Sequence, residues 1–320
     1  WTLENIDEIS SDNYELNRVF KRVDTCSGEF LSSTPYLYST NGQSNDDFPT
    51  ENKKVIIIGS GPNRIGQGIE FDYCCVHGLN ALRENNIESI LINSNPETVS
   101  TDYDTADKLY FEPLMWTEVK AILDREMPHA VITQLGGQTP LSLANKISES
   151  GYKIAGSSVD VIASTEDRNL FQKLCTEQGI NQPVSTTAFN KNDLINAVKK
   201  IGYPVLLRPS YVLGGEAMRI IQNDKELDNY LEKFSKYGQN NNIFSSGPLL
   251  IDEFLTDAIE VDVDLISDGD EVFIAGIMEQ LEPAGIHSGD SIAVLPPFSI
   301  DSKTIKQLEH ISKKLALSLN

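Results

Sequence analysis

Apolar runs at Val55–Ile58, Ser89–Asn93 and Ala130–Thr133 read as strands buried on both faces, and they alternate with helical periodicity at Gly68–Asn85, Trp116–Glu126 and Ser142–Ser150. This βαβ alternation predicts a parallel sheet with right-handed crossovers, a doubly wound domain over residues 53–160. From residue 161 to residue 320 the pattern changes. Helical spacing at Glu166–Gln178 and Lys191–Ile201 leads into a strand at Pro204–Leu207, a turn carrying Gly214 and Gly215, a strand at Ala217–Gln222 and a helix at Lys225–Tyr237. Strands at Pro248–Phe254, Ile259–Ile266 and Val272–Met278 follow, so this half predicts antiparallel pieces with two covering helices. The tail Asp301–Leu319 is an amphipathic helix, with Ile305, Leu308, Ile311, Leu315 and Leu317 roughly on one face. At the other end, residues 1–36 place Ile6, Ile9, Tyr14, Leu16, Val19 and Phe20 at helical spacing and predict short helices. Residues 37–52, LYSTNGQSNDDFPTEN, predict a solvated linker. The fold class is α/β, with a short helical lead-in.

Composition narrows the function. The 320 residues carry a net charge of −21, which disfavours a nucleic-acid backbone or an anionic membrane as partner. No apolar run approaches the ~20 residues of a spanning helix. The four cysteines, Cys26, Cys74, Cys75 and Cys175, lack C-x-x-C spacing and read as buried, reduced thiols of a cytoplasmic protein. The four histidines are scattered, and no metal-ligand spacing is present. A chain running from Trp1 to Asn320 reads as a piece of a longer polypeptide.

The segment KVIIIGSGPNRIGQGIEFDY at 54–73 takes a strand into a glycine turn and then a helix. It fits neither common phosphate motif. The dinucleotide spacing G-x-G-x-x-G is broken by Arg64, and Gln67 stands where a P-loop has its lysine. Asn93 ends the second strand where a dehydrogenase has its ribose-binding carboxylate, which argues against nicotinamide.

The strings GPNRIGQGIEFDYCCVH, NSNPETVSTDYDTADKLYFEP and QLGGQTPL closely resemble the large chain of carbamoyl-phosphate synthetase, in its second synthetase half. The resemblance runs from about FKRVDTC at 20–26 to the end of the chain, and its motifs are long and rare. It implies that 1–36 end a helical oligomerisation region, 37–52 form a linker, 53–160 form a pre-ATP-grasp domain, and 161–320 form an ATP-grasp domain that stops before its metal ligands. The implied reaction is ATP-dependent phosphorylation of carbamate to carbamoyl phosphate, with Mg²⁺ (Mn²⁺ as an alternative), and the isolated piece is expected to be inactive. The implied partners are a glutamine amidotransferase, fused or separate, and the first synthetase half, in an oligomer feeding pyrimidine or arginine synthesis. Two rival readings are another ATP-grasp ligase, such as one resembling biotin carboxylase, and a non-catalytic nucleotide-binding segment.

Candidate site residues follow. Arg208, in LLRPSYVLGG, reads equally as a bidentate phosphate clamp before a glycine loop or as an ordinary ion pair. The resemblance implies the first, with Arg208 on ATP and Gly214 and Gly215 covering the phosphates, although Glu216 departs from the neutral or basic residue expected there. Arg168 lies near a helix N-terminus, where a cation is unfavourable without an offsetting anion; the resemblance implies that it faces the nucleotide, and the alternative is a solvated arginine. In IDEFLTDAIEVDVD, strand alternation puts Glu260, Asp262 and Asp264 on one face, a solvated face by periodicity alone. The resemblance implies that Glu253 and Leu255 line an adenine pocket, largely through the backbone, and that Glu260 binds the ribose. In GIHSGDS it implies that Gly285, Ile286, His287 and Ser288 border the nucleotide and acceptor, His287 as a catalytic donor. The turn Gln134–Gln138 sits where α/β ligand sites form and receives no catalytic role.

Overall fold

The computed structural model describes residues 17–62, 68–209, 218–236, 244, 247–286 and 290–319. The chain divides between Ile162 and Ala163 into two compact units. Among the described residues no helix is long and apolar enough to cross a membrane.

In the first unit, β1 (Arg18–Arg22), β2 (Tyr36–Asn41), β3 (Lys54–Ile58), β4 (Glu88–Asn93), β5 (Lys108–Phe111) and β6 (Ala130–Ile132) form one sheet in the order β1-β2-β5-β4-β3-β6. Every pair is parallel except β1 with β2. Alternation splits the core between the two faces. Ile57, Leu91 and Leu109 face Cys75 and Leu79 of α1 (Glu70–Glu84), while Ile56, Ile58, Ile90 and Ile92 meet Val119, Ile122 and Leu123 of α2 (Trp116–Glu126). Two short helices, α3 (Gln138–Leu141) and α4 (Ala144–Glu149), follow β6, and α5 (Val159–Glu166) carries the boundary between the units.

The expected helical lead-in is corrected here: residues 1–16 lie outside the described residues, and 18–22 form a strand rather than a helix. β1 pairs antiparallel with β2, Arg18 opposite Asn41, and extends the parallel sheet. Tertiary pairing overrides the local periodicity, because Val19, Phe20 and Leu37 are buried in that geometry and Phe20 meets Tyr110 edge-on at 5.2 Å. The linker expected at 37–52 is likewise structured. Lys21 Nζ lies 2.7 Å from Asp46 Oδ1, the Asn45 side chain accepts from Phe20 N at 2.8 Å, and Lys108 Nζ donates to Phe48 O at 3.0 Å. The thiols are also corrected in part: Cys75 and Cys175 are buried, but Cys74 is exposed and Cys26 half-buried. Burial pushes the Cys75 thiol up to about 12.

The second unit holds two antiparallel sheets. In one, β7 (Ser185–Ala188), β8 (Val205–Pro209), β9 (Arg219–Ile221) and β10 (Leu249–Glu253) run in the order β7-β10-β8-β9. The helices α7 (Lys191–Ile201) and α8 (Asp224–Lys236) add Leu194, Val198, Leu227 and Tyr230 to its core. In the other, β11 (Val261–Ser267), β12 (Val272–Gln280) and β13 (Ala293–Val294) carry α9 (Ser302–Ser318). Also in the second unit, α6 (Arg168–Glu177) follows α5 in the chain.

The amino ends of the first unit's strands gather charge. Glu126 is 1 % exposed, with Lys54 Nζ at 3.1 Å and Lys108 Nζ at 3.2 Å, and it accepts a hydrogen bond from the Tyr110 hydroxyl. Lys108 also reaches Asp47 Oδ2 at 2.9 Å. Burial raises the Glu126 pKa, but the Tyr110 hydrogen bond, the Lys108 charge and the lysine hydrogen bonds outweigh it and hold the carboxyl below the usual range. Its folded value is depressed, so its stabilisation is present above the unfolded value and is lost as pH falls through the folded one. Glu126→Gln leaves two buried ammonium groups short of a counter-charge and is expected to cost about 3 kcal/mol in urea unfolding at neutral pH. The gap from wild type should close in acid; a midpoint unchanged at pH 7 would remove Glu126 from the account of stability.

Candidate functional site

Arg208 lies near the carboxyl end of β8, an interior strand, six residues before Gly214 in the sequence. Its Nε donates to Asp252 Oδ2 at 2.6 Å, and a terminal nitrogen of the guanidinium reaches the same carboxylate. Asp252 is only 9 % exposed and is held in turn by the Ser185 hydroxyl, 2.6 Å from Oδ1. Of the two readings open in the sequence, the ion pair is therefore present. It does not exclude the clamp, because a guanidinium carries five donors on a planar fork. Asp252 was missed at the sequence level. Its only signal there is its place in IDEFL, and nothing local shows that β8 and β10 lie side by side.

The other candidates fall around the edges of β10, β11 and β12. Glu253 grips Val184 twice, its N–H donating to Val184 O at 2.8 Å and its carboxylate accepting from Val184 N at 3.1 Å. Leu255, two residues on, is 52 % exposed. Glu260 Oε2 accepts from Gly285 N at 3.0 Å, so the structure brings these two predicted residues together. Gly285 has φ +95°, a backbone region that favours glycine, and Ile286 beside it is 43 % exposed. Gly214, Gly215, Glu216, His287 and Ser288 lie outside the described residues. Arg168 is exposed at the first residue of α6, directly after Asp167, whose carboxylate accepts from Asn169 N and Leu170 N at 2.9 Å. That N-cap supplies negative charge beside the arginine at the positive helix end. On β11, Asp262 and Asp264 stand in regular alternate register opposite Met278 and Gly276, with a register shift only beyond Asp264, and Asp262 accepts a hydrogen bond from the Gln280 amide.

Carboxylates also fasten the loop that carries Gly285. Glu282 Oε2 accepts from Ser291 Oγ and Ile292 N, both at 2.7 Å, and Glu279 Oε2 accepts from Phe298 N and Ser299 N, both at 2.9 Å. Hydrogen bonds from Ser299 and Ser291 hold the Glu279 and Glu282 carboxyls below the usual range. Among the described residues no group of three or more His, Cys, Asp or Glu could hold a metal ion, so none of them is assigned to Mg²⁺. The kinds of group a nucleotide takes are present among the described candidates: a fixed cation at Arg208, a carboxylate at Glu260, and accessible apolar side chains at Leu255 and Ile286.

In the first unit, the carboxyl ends of β3, β4 and β6 meet closely. A Cβ at Gly136 would stand 2.5 Å from Ile58 O, and Asn93 Oδ1 accepts from Gly61 N at 3.0 Å. Asn93 thus serves the glycine turn rather than a ribose. A cavity of about 580 Å³ opens nearby, lined by Ser94, Leu114, Met115 and Thr139 among others.

A doubly wound parallel unit followed by helix-covered antiparallel sheets defines the chain as an ATP-grasp protein with its pre-ATP-grasp domain. Solved structures share that fold. Biotin carboxylase from Campylobacter jejuni, solved with β,γ-ATP, matches with TM-score 0.61 at 16% identity over 84% of this chain and 60% of its own. An N5-carboxyaminoimidazole ribonucleotide synthetase, solved with ADP, matches with TM-score 0.60 at 13% identity over 85% and 64%. Sequence comparison is more specific. Residues 51–164 match the family described as carbamoyl phosphate synthase preATP-grasp domain, and residues 167–320 match carbamoyl-phosphate synthase L chain, ATP binding domain. The chain is 50% identical to the carbamoyl phosphate synthase large chains of Ralstonia nicotianae, over 94% of its length, and Archaeoglobus fulgidus, over 95%. It belongs to the carbamoyl-phosphate synthase large-chain family, and it spans 28% of the length of either relative.

The carboxylate-fastened loop has a pH signature. Glu279 and Glu282 have depressed folded values, so their hold on Ile292, Phe298 and Ser299 is present above the unfolded value and lost as pH falls through the folded one. Amide hydrogen exchange at those three positions, corrected for intrinsic rate, should lose protection below about pH 4. Glu279→Gln should remove it at Phe298 and Ser299 at neutral pH, and unchanged protection there would refute the assignment.

Proposed function

We propose that, in the longer protein, this segment binds ATP and phosphorylates carbamate, forming the bond from a carbamate oxygen to the γ-phosphorus and releasing ADP and carbamoyl phosphate. The observation that carries the reading is Arg208, fixed by Asp252 at the end of β8 within a domain that matches an ATP-binding family. When bound, ATP supplies the phosphoryl group. Arg208 neutralises developing phosphate charge, its fork aimed by the Asp252 carboxylate so that little reorganisation is needed. Glu260 offers a carboxylate to the ribose hydroxyls, and the backbone around Glu253 and Leu255 borders the base. Gly285, Ile286, His287 and Ser288 border the phosphates and the acceptor, with His287 as donor, and Gly214, Gly215 and Arg168 complete the nucleotide contacts. Mg²⁺ accompanies the nucleotide, and no step is assigned to it from the described residues. The segment acts as the second synthetase half of a cytoplasmic protein, supplied with carbamate by the first half and with ammonia by a glutamine amidotransferase. Turnover is proposed for the longer protein and not for these 320 residues alone.

The reverse reaction, ATP formation from carbamoyl phosphate and ADP, isolates this step in the full-length enzyme. Arg208→Lys keeps the charge and loses the fork, and is expected to slow the reverse reaction by about 10²-fold. Bicarbonate-dependent ATP hydrolysis by the other half should persist. Glu260→Gln should raise the KM for ADP about tenfold, with a smaller change in kcat. If Arg208→Lys slows bicarbonate-dependent hydrolysis and spares the reverse reaction, the assignment to the second half is wrong.

A further inference from the structure

The cationic face of α9 takes no part in the site above. Lys303, Lys306, His310, Lys313 and Lys314 are all exposed, and they recur at three- and four-residue steps, which sets them in one stripe. The opposite face, with Ile305, Leu308 and Leu315, is half-buried toward β11 and β12. Along the stripe runs a groove of about 730 Å³, lined by Asn181, Lys303, Lys306, Gln307, His310 and Ile311. Lys314 donates to Gln178 O and ties the helix to the segment that forms the other wall. Among the described residues no carboxylate forms an ion pair with any of these lysines, although the chain as a whole carries −21. The carboxylates nearest in the helix are the N-cap Asp301 and Glu309.

We propose that this face is a docking site for a short acidic polypeptide segment. Charge complementarity selects the occupant. A nucleic acid or an anionic membrane is a large polyanion and would meet the rest of a chain at −21, whereas a short segment need come only within about 8 Å, the Debye length at physiological salt, of the lysines. Length selects against a small anion. Eleven residues of helix span about 16 Å, and one phosphate reaches only two adjacent side chains. Lys303, Lys306, His310 and Lys313 rise by about 4.5–6 Å from one to the next, close to the roughly 6.6 Å between same-side residues of an extended peptide.

The test titrates a fluorophore-labelled octaglutamate peptide with the full-length protein at low salt and follows anisotropy. Saturable binding is expected, weakened at least about tenfold in Lys303→Glu/Lys306→Glu/Lys313→Glu. Lys53→Glu/Lys146→Glu/Lys153→Glu, a matched charge change at exposed lysines of the first unit, should bind as wild type, and thermal unfolding should show all three proteins folded. No saturable binding, equal binding by the triple variant, or equal loss in the first-unit variant overturns the proposal. So does displacement of the peptide by inorganic phosphate beyond that caused by chloride at matched ionic strength, which would assign the groove to a small anion.

Discussion

A half-exposed guanidinium near the end of an interior strand keeps one direction only if a partner within the sheet holds it, because its long stem is otherwise free to turn into water. Asp252 meets that constraint for Arg208. It sits two positions away on the diagonal of the antiparallel pair, since Leu206, not Arg208, is its register partner. Ser185, directly opposite Asp252 on β7, holds the other carboxylate oxygen. One chain of polar contacts therefore crosses three adjacent strands and ends at Arg208, next to the last residue of β8. The direction of the guanidinium is set by the sheet, through Asp252 and Ser185.

The first unit separates charge from glycine along its strands. Lys54, Glu88 and Lys108 begin β3, β4 and β5, and Glu126 closes their charges from the last turn of α2. At the other end of the same strands the chain uses glycine and amide groups, with Gly59, Asn93 and Gly136 in close approach. Charge at the amino edge is compensated inside the protein and has nothing left to offer a ligand. The carboxyl edge keeps backbone groups near a cavity, where open α/β sheets place their ligand sites.

Much of this was readable in the chain. Continuous apolar runs such as Val55–Ile58 can only be strands buried on both faces, and β3, β4 and β6 appear within a residue or two of their expected places. β5 and β7 were not read, because KLYF and STTA are four-residue strands without a periodic signal of their own. The lead-in was misread for a related reason: RVF is amphipathic at both periods over so short a stretch, and only pairing with β2 and the contact of Phe20 with Tyr110 decide it. For the site, motifs located Arg208, Glu260 and Gly285 in sequence. The partners that orient them could not be seen, because Arg208 and Asp252 are 44 residues apart and Glu260 and Gly285 are 25 apart, joined only by strand order.

The acidic excess of the chain has a structural use beyond solvation. Glu260, Glu279 and Glu282 each accept backbone N–H groups from the 282–299 segment, and Asp252 spends its charge on Arg208. A carboxylate accepts several hydrogen bonds without donating any, so it can close a loop rich in unpaired N–H groups that neutral side chains would satisfy only in part. Of these, Glu279 and Glu282 have carboxyls held below the usual range, so their grip on the segment is lost only in acid, while the core of the same unit, built from Leu194, Val205, Leu249 and Ile251, is apolar. Order in the loop and order in the fold are therefore separable: acid should loosen the first before it touches the second.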